Sequence, residues 1–272
     1  MKKLAIGLLT MLSAVVLAGC GNADASEGGY VEEIQSRGAL RIALSADYPP
    51  FEFQILEDGR NVIVGADVDL ANEIAAELGV ELEIMNMNFN SVLNSLASGQ
   101  ADMAISALSA TAERREVFDF SDIYYMPANK VLVQADRVGE FDSISDFDGK
   151  TIGVLQGSVQ EGAVDEQLPN ARRVSLQTVN NLINELLSGQ IDGVMIEGTI
   201  GQAYIYTHGT LAFSTVEFET NEDSGYAIAM NQGTYDLQEV VNAVIARLQA
   251  EGEIDRMVER NFLLAMERGQ AE

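Results

Sequence analysis

The sequence predicts an α/β protein made of two similar lobes, and two observations lead to this fold class. Short apolar segments alternate with segments of helical apolar spacing over residues 39–105 and again over 131–196. This order is typical of a largely parallel sheet with helices on its faces. In addition, LASGQADM at 96–103 matches LLSGQIDG at 186–193 in five of eight positions. Both copies end a helix and lead into a strand, so two similar lobes are expected.

In the first half of the chain, four short apolar segments predict strands, at 39–44, 62–64, 82–84 and 103–105. Between them, helices are predicted at 68–78 and from a cap at Asn90 to residue 97, each followed by glycine. Pro49 and Pro50 exclude a helix after the first strand. The loop that carries them is therefore expected to be extended.

The same order of elements begins again after residue 125. Strands are predicted at 131–133, 151–155, 173–176 and 191–196. Helices are predicted from near Ser158, at 178–188, at 237–248 and at 254–262.

The N-terminus has the features of a lipoprotein signal peptide. Two lysines precede an apolar run over residues 4–18, which is shorter than the roughly 20 residues of a membrane span. LAGC at 17–20 resembles the bacterial lipoprotein box, in which the cysteine receives a diacylglyceryl group. We therefore expect a signal peptide over 1–19, a lipid on Cys20, a lipid-anchored tether over 20–37, and a location on the outer face of the cytoplasmic membrane.

Composition excludes several classes of function. The net charge of −26 disfavours nucleic acid and anionic lipid as partners. Cys20 is the single cysteine, so an intramolecular disulfide is impossible. His208 is the single histidine, and its neighbours support neither a catalytic triad nor a metal site. No metal or other cofactor is expected.

One hydroxyl-rich turn carries the chemistry of a carboxylate site. Ser106, Ser109 and Thr111 follow an apolar strand, and Arg114 comes directly behind them. An arginine fork donates two parallel hydrogen bonds to a carboxylate, and the N–H groups of a helix start add to the attraction. The turn is therefore predicted to bind the carboxylate of a small ligand.

Several ordered motifs extend this interpretation to a family. They are RIALSADYPPFEF at 41–53, GADVDL at 65–70, SATAER at 109–114, FDFS at 118–121 and GVLQGS at 153–158. In these motifs the chain resembles the extracellular solute-binding proteins of bacterial polar amino-acid ABC importers. Ala66 departs from the pattern, because an aromatic residue is usual there. The resemblance implies a clamshell joined by two crossover strands, with lobe 1 at 38–126 and 224–272 and lobe 2 at 127–223.

The resemblance also implies the roles of individual residues. Arg114 would bind the α-carboxylate with help from Ser109 and Thr111. Glu197, where the family usually has aspartate, would bind the α-ammonium, with Ser106 nearby.

Further residues would contact the ligand's side chain. Tyr48 and Phe89 would enclose it, as aromatic faces do for aliphatic chains and guanidinium groups. Leu155, Ser158 and Gln160 would contact the ligand from the second lobe. Ser45 occupies a position that is aspartate in some binders of cationic amino acids. The ligand is thus expected to be a polar amino acid, either arginine or lysine, or a glutamine-like one.

The leading functional prediction is the substrate-binding component of an amino-acid importer. It would act as a monomer, close on its ligand and deliver it to a membrane permease. Two alternatives stay open on the same fold. One is a lipid-anchored enzyme similar to cyclohexadienyl dehydratases, with Glu197 as an acid. The other is a sensor that presents its ligand to a receptor.

Overall fold

A computed structural model describes residues 29–219 and 224–269, with side chains to residue 267. The signal peptide, Cys20 and the first part of the tether lie outside the described residues. The helices are α1 Tyr30–Arg37, α2 Ala66–Leu78, α3 Phe89–Ala97, α4 Ala112–Arg115, α5 Gln160–Gln167, α6 Val179–Leu187, α7 Gly198–His208, α8 Tyr235–Ala250 and α9 Glu253–Gly269. The strands are β1 Ala39–Leu44, β2 Asp47–Tyr48, β3 Glu52–Glu57, β4 Arg60–Val64, β5 Glu81–Asn86, β6 Met103–Ala104, β7 Phe118–Phe120, β8 Asn129–Gln134, β9 Thr151–Leu155, β10 Arg172–Leu176, β11 Gly193–Glu197, β12 Leu211–Phe213 and β13 Ala229–Asn231. None of the helices in this part of the chain is long and apolar enough to span a membrane.

Two five-stranded sheets form the two lobes, in the orders β5-β1-β6-β13-β7 and β10-β9-β11-β8-β12. Four of the five strands in each sheet run in the same direction, as expected of a largely parallel sheet. The fifth strand, β13 in one sheet and β8 in the other, runs in the opposite direction and pairs antiparallel with both of its neighbours. The direction of β8 and β13 follows from connectivity, because each is the first strand that the chain forms after it crosses from the other sheet.

The two segments that connect the sheets pair with each other. Tyr226 N–H donates to the Tyr125 carbonyl at 2.8 Å, and Tyr124 N–H donates to the Tyr226 carbonyl at 2.9 Å. The Phe51 ring packs edge-on against the rings of Tyr125 and Tyr226. After β13 the chain closes with α8 and α9, which pack on α2 of the first lobe. The lobe boundaries given above remain our proposal.

The folded body begins earlier than the tether prediction allowed. Residues 30–37, the last eight of the expected tether, form α1, and Ile34 of this helix is fully buried. The Tyr30 hydroxyl donates to Asp102 at 2.9 Å, and Val31 N–H donates to Asp236 at 2.8 Å. The prediction of a tether over these eight residues is therefore wrong, because the buried Ile34 and several hydrogen bonds, including those of Gln35 and Arg37, hold them to the first lobe.

Other element boundaries also differ from the prediction. The hairpin of β3 and β4 turns through Asp58 and Gly59, both with positive φ, and the sequence prediction contained only β4. The α3 helix begins at Phe89, so Asn90 lies inside it rather than at its cap. The α5 helix begins at Gln160, two residues after Ser158.

The internal repeat performs the same task in both lobes. Asp102 N–H donates to the Arg41 carbonyl at 2.8 Å, and its carboxylate accepts from Arg41 N–H at 2.8 Å. Asp192 does the same with Thr151, at 2.8 and 2.9 Å. The glycine of each copy has a positive φ, 71° and 72°, which ends the preceding helix. The repeat therefore joins the start of β6 to β1 and the start of β11 to β9.

Candidate ligand-binding cleft

A cleft between the two lobes contains about 340 Å³ of atom-free space, mouth included. Ten predicted residues line it: Ser45, Tyr48, Phe89, Ser106, Ser109, Arg114, Leu155, Ser158, Gln160 and Glu197. Four residues that the sequence prediction missed line it too: Asp47, Glu52, Ala107 and Val159. The cleft lies at the C-terminal ends of β1, β9 and β11, where open α/β sheets bind ligands.

Arg114 extends from the short helix α4 across the cleft. Its guanidinium donates to the Ser109 carbonyl at 2.7 Å and to the Gly157 carbonyl of the other lobe at 2.9 Å. It also lies 6.0 Å from the centre of the Phe89 ring. Burial lowers the pKa of this guanidinium, and none of its bonds within the described residues goes to a carboxylate. Remaining N–H groups on a half-buried, unpaired guanidinium suit an anionic ligand group.

Thr111 differs from the prediction, because it does not line this cavity. Its hydroxyl accepts from Arg114 N–H at 3.2 Å and thereby caps α4. The hydroxyl therefore positions Arg114. Arg115 is exposed and turns away, donating to the Ala110 carbonyl at 2.9 Å. The two adjacent arginines thus serve different purposes.

Glu197 lies across the cleft, where β11 ends and α7 begins. Its side chain is buried, and one oxygen accepts from the Gln160 amide at 2.7 Å. The other oxygen, Oε2, has no hydrogen-bond partner in the described part of the chain, and neither does the hydroxyl oxygen of Ser158. Burial raises the pKa of Glu197 to about 7. A buried carboxyl group with a free oxygen suits an ammonium group.

Two acids of the first lobe add negative charge that the sequence prediction missed. Glu52 is 1% exposed, and its Oε1 accepts from the Ser106 hydroxyl at 2.6 Å. Burial and the neighbouring Asp67 raise the pKa of Glu52 well above its usual range. Asp47 accepts from the Ser45 hydroxyl at 3.0 Å, and burial raises its pKa as well. The sequence carried no clear local signal for either acid, since acidic residues beside a proline turn are expected to face water.

Two aromatic side chains of the first lobe complete the wall. Tyr48 is buried beside the cavity, and Phe89 is half-buried at the start of α3. Leu155 faces them from the end of β9 in the second lobe. Three acids and Arg114 therefore surround a space with apolar sides. Among the described residues, no cluster of three or more His, Cys, Asp or Glu could hold a metal ion.

The comparisons with known proteins agree with this geometry. Residues 40–263 match the model of the bacterial extracellular solute-binding proteins, family 3. The chain belongs to this family. It is 32% identical, over 96% of this chain and 98% of the relative, to the arginine-binding extracellular protein ArtP of Bacillus subtilis (strain 168).

Solved structures of similar proteins extend the comparison. A substrate-binding protein of an amino-acid ABC transporter from Streptococcus pneumoniae Canada MDR_19A, bound to L-arginine, superposes with a TM-score of 0.84. It is 41% identical, over 86% of this chain and 98% of that one. An ancestral amino-acid-binding protein described as a precursor of cyclohexadienyl dehydratase is 28% identical, with a TM-score of 0.77, over 85% of this chain and 99% of that one. The family, the two-lobed α/β fold and the function of a substrate-binding component of an amino-acid ABC importer are thereby confirmed.

Proposed function

We propose that this protein binds L-arginine, or a similar amino acid with a cationic side chain, and delivers it to an ABC permease. The observation that carries the proposal is charge balance. Among the described residues, three acids line the cavity, Asp47, Glu52 and Glu197, and one basic residue does, Arg114. An amino acid with a neutral side chain brings one positive charge for Glu197, whereas arginine brings two. The relatives described as arginine-binding support the same ligand.

The neutral side chain of Ser45 is an argument against a cationic ligand, because some family members that bind such ligands carry aspartate at this position. The neighbouring acids answer this argument. In this chain, the Ser45 hydroxyl donates to Asp47 at 3.0 Å, two residues further on. Asp47 therefore keeps a carboxyl group at this wall of the cavity, and Glu52 adds a second one, whose ionised form a cationic ligand would favour. The aromatic rings of Tyr48 and Phe89 suit the flat guanidinium group.

The test compares arginine with citrulline, which has nearly the same shape and a neutral side chain. Thermal-shift and calorimetric titrations use protein freed of copurified ligand by unfolding and refolding. We expect arginine to bind at least about tenfold more tightly than citrulline, since hydrogen bonds to charged groups contribute about 1.5–3 kcal/mol. The other standard amino acids form the panel. Equal affinity for the two ligands, or a preference for glutamine, would refute the cationic assignment.

We also propose that the protein is a binder rather than an enzyme. His208 lies in the last turn of α7 and does not line the cleft. The alternative has one specific observation in its favour: Glu197, with a pKa of about 7, could act as the acid that the resemblance to cyclohexadienyl dehydratases implies. Incubation with prephenate and with arogenate, followed by chromatography, decides between them. Product formed by the wild type and lost in Glu197→Gln would establish the enzyme.

Anchoring and transport are the remaining parts of the proposal. A signal peptide over residues 1–19 and a lipid on Cys20 would hold a monomer at the outer face of the cytoplasmic membrane. Membrane fractionation of the wild type and of Cys20→Ala tests the anchor, which predicts release of the variant. Uptake of labelled arginine by cells with and without the protein separates an importer from a sensor. Uptake that does not depend on the protein would favour the sensor.

A further inference from the structure

Asp47 belongs to the first lobe but bonds to the second. Its Oδ2 accepts from Val179 N–H, the first residue of α6, at 2.8 Å. Its carbonyl accepts from the Tyr204 hydroxyl of α7 at 3.2 Å. Its Oδ1 accepts from the Ser45 hydroxyl of its own lobe at 3.0 Å. Asp47 therefore makes two hydrogen bonds across the cleft while its side chain also lines the cavity.

The carboxylate of Asp47 accepts from a backbone N–H at the start of α6 that has no partner within its own helix. The first N–H groups of a helix have no partner within the helix. Thr178 is the residue before α6, and its hydroxyl accepts from Asn181 N–H at 3.2 Å, which leaves the Val179 N–H for another acceptor. A negative group at a helix N-terminus also interacts favourably with the helix dipole. The N-terminal cap of α6 is thus completed by a residue of the opposite lobe.

We propose that Asp47 is a closure residue, whose carboxylate stabilises the closed arrangement of the lobes and thereby slows release of the ligand. The bond to Val179 can exist only while the lobes are in contact. When the lobes separate, both groups can turn to water instead. The inference rests on the proposed binding function, but it does not depend on arginine being the ligand. This role is separate from the charge that Asp47 contributes to the cavity. In it Asp47 is a positioning residue, because it acts through the second lobe.

The experiment measures ligand release from Asp47→Ala and Asp47→Asn by stopped-flow fluorescence, with arginine as the probe. Loss of a charged hydrogen bond predicts a dissociation rate about tenfold or more above that of the wild type for Asp47→Ala. We expect a smaller increase for Asp47→Asn, since the amide oxygen can still accept from Val179. The melting temperature without ligand should stay within the error of the wild type, because an open protein does not make this bond.

A second variant removes the donor without touching the cavity. Val179→Pro lacks the N–H, and proline is well tolerated at the first position of a helix. The residue before it, Thr178, already has the extended conformation that proline requires, with φ −137° and ψ 149°. Release should be faster in this variant too, and the double variant with Asp47→Ala should release no faster than the faster single variant. The charge control is Glu57→Ala, which should behave as wild type. Glu57 is an exposed acid at the end of β3, in the three-stranded sheet of β2, β3 and β4 that also carries Asp47.

Two results would overturn the proposal. One is a dissociation rate within twofold of the wild type in either Asp47→Ala or Val179→Pro, since Val179→Pro removes the bond between the lobes and leaves the carboxylate of Asp47 in the cavity. The other is a loss of thermal stability that is equal with and without ligand, since this indicates a purely structural role. Failure of the arginine assignment is a separate outcome, seen as a wild-type protein that does not respond to arginine. The closure residue is then tested with the amino acid that raises the wild-type melting temperature.

Discussion

Ligand binding should become tighter as pH rises from 6 to 8, because Glu197 titrates in this range. Burial raises its pKa to about 7, so the carboxyl group is mostly protonated at pH 6 and mostly ionised at pH 8. The α-ammonium of a free amino acid stays mostly protonated throughout and interacts favourably with the ionised form alone. Wild-type affinity should therefore follow the ionised fraction of Glu197.

The size of the effect follows from the same pKa. With a pKa of about 7, roughly one tenth of Glu197 is ionised at pH 6 and roughly nine tenths at pH 8. If the ligand binds only the ionised form, the dissociation constant falls by up to about tenfold across this range, and the limit is reached if Glu197 is as buried before binding as it is here. Binding at pH 6 should also release close to one proton per site. At pH 8 the release should nearly vanish.

Isothermal titration calorimetry at pH 6, 7 and 8 measures both quantities. Two buffers with different heats of ionisation report the released proton, and Glu197→Gln is the control. This variant should bind more weakly, with most of the pH dependence removed. A flat wild-type profile would refute the reasoning. A pH dependence of binding that persists in Glu197→Gln would indicate that Glu52, whose pKa is also raised, is the titrating group.

Three further predictions concern other residues. Arg114→Ala should weaken arginine binding at least about tenfold by calorimetry, since it removes a pair of charged hydrogen-bond donors. The control Arg115→Ala should bind like the wild type, and equal losses in both variants would contradict the proposed site. Asp102→Asn should lower the free energy of unfolding in urea by about 3 kcal/mol, because this buried carboxylate holds two arginines. Asp192→Asn, at a half-exposed copy of the same repeat, should lower it less, and the reverse order would contradict the repeat. Glu52→Gln should raise the melting temperature of the unliganded protein at pH 8, because Glu52 and Asp67 are neighbouring buried carboxyl groups that cannot both ionise without a loss of stability. An unchanged melting temperature would contradict this repulsion.

The fold was predictable from the sequence where apolar periodicity and glycine stops agree. The α2 helix ends before Gly79 and the α6 helix before Ser188, close to their predicted bounds, because each buries one apolar stripe. Strand direction was not predictable in the same way. A short strand such as β13 carries no local signal of the direction from which the chain enters the sheet. That information lies in long-range connectivity.

The site was predictable where a motif fixes a residue, as for Arg114 and Glu197. Asp47 and Glu52 were missed because acidic residues beside a proline turn are expected to face water. Their burial depends on the opposite lobe and on the turn of Ser106, neither of which is local in sequence. The helix α1 was missed for a similar reason: its one buried apolar residue, Ile34, gives no periodic pattern in the sequence.

The buried charges explain why closure should depend on the ligand. In the closed arrangement Glu52 and Glu197, one from each lobe, are at most 3% exposed, and neither has a cationic partner among the described residues. Closing without ligand therefore costs several kcal/mol for each ion, or a proton taken up instead. The bonds from Val179 and Tyr204 to Asp47 favour closing, but hydrogen bonds of this kind contribute only about 1–3 kcal/mol each. The open state should prevail until a cationic ligand neutralises both acids, and from then on Asp47 helps to keep the lobes together.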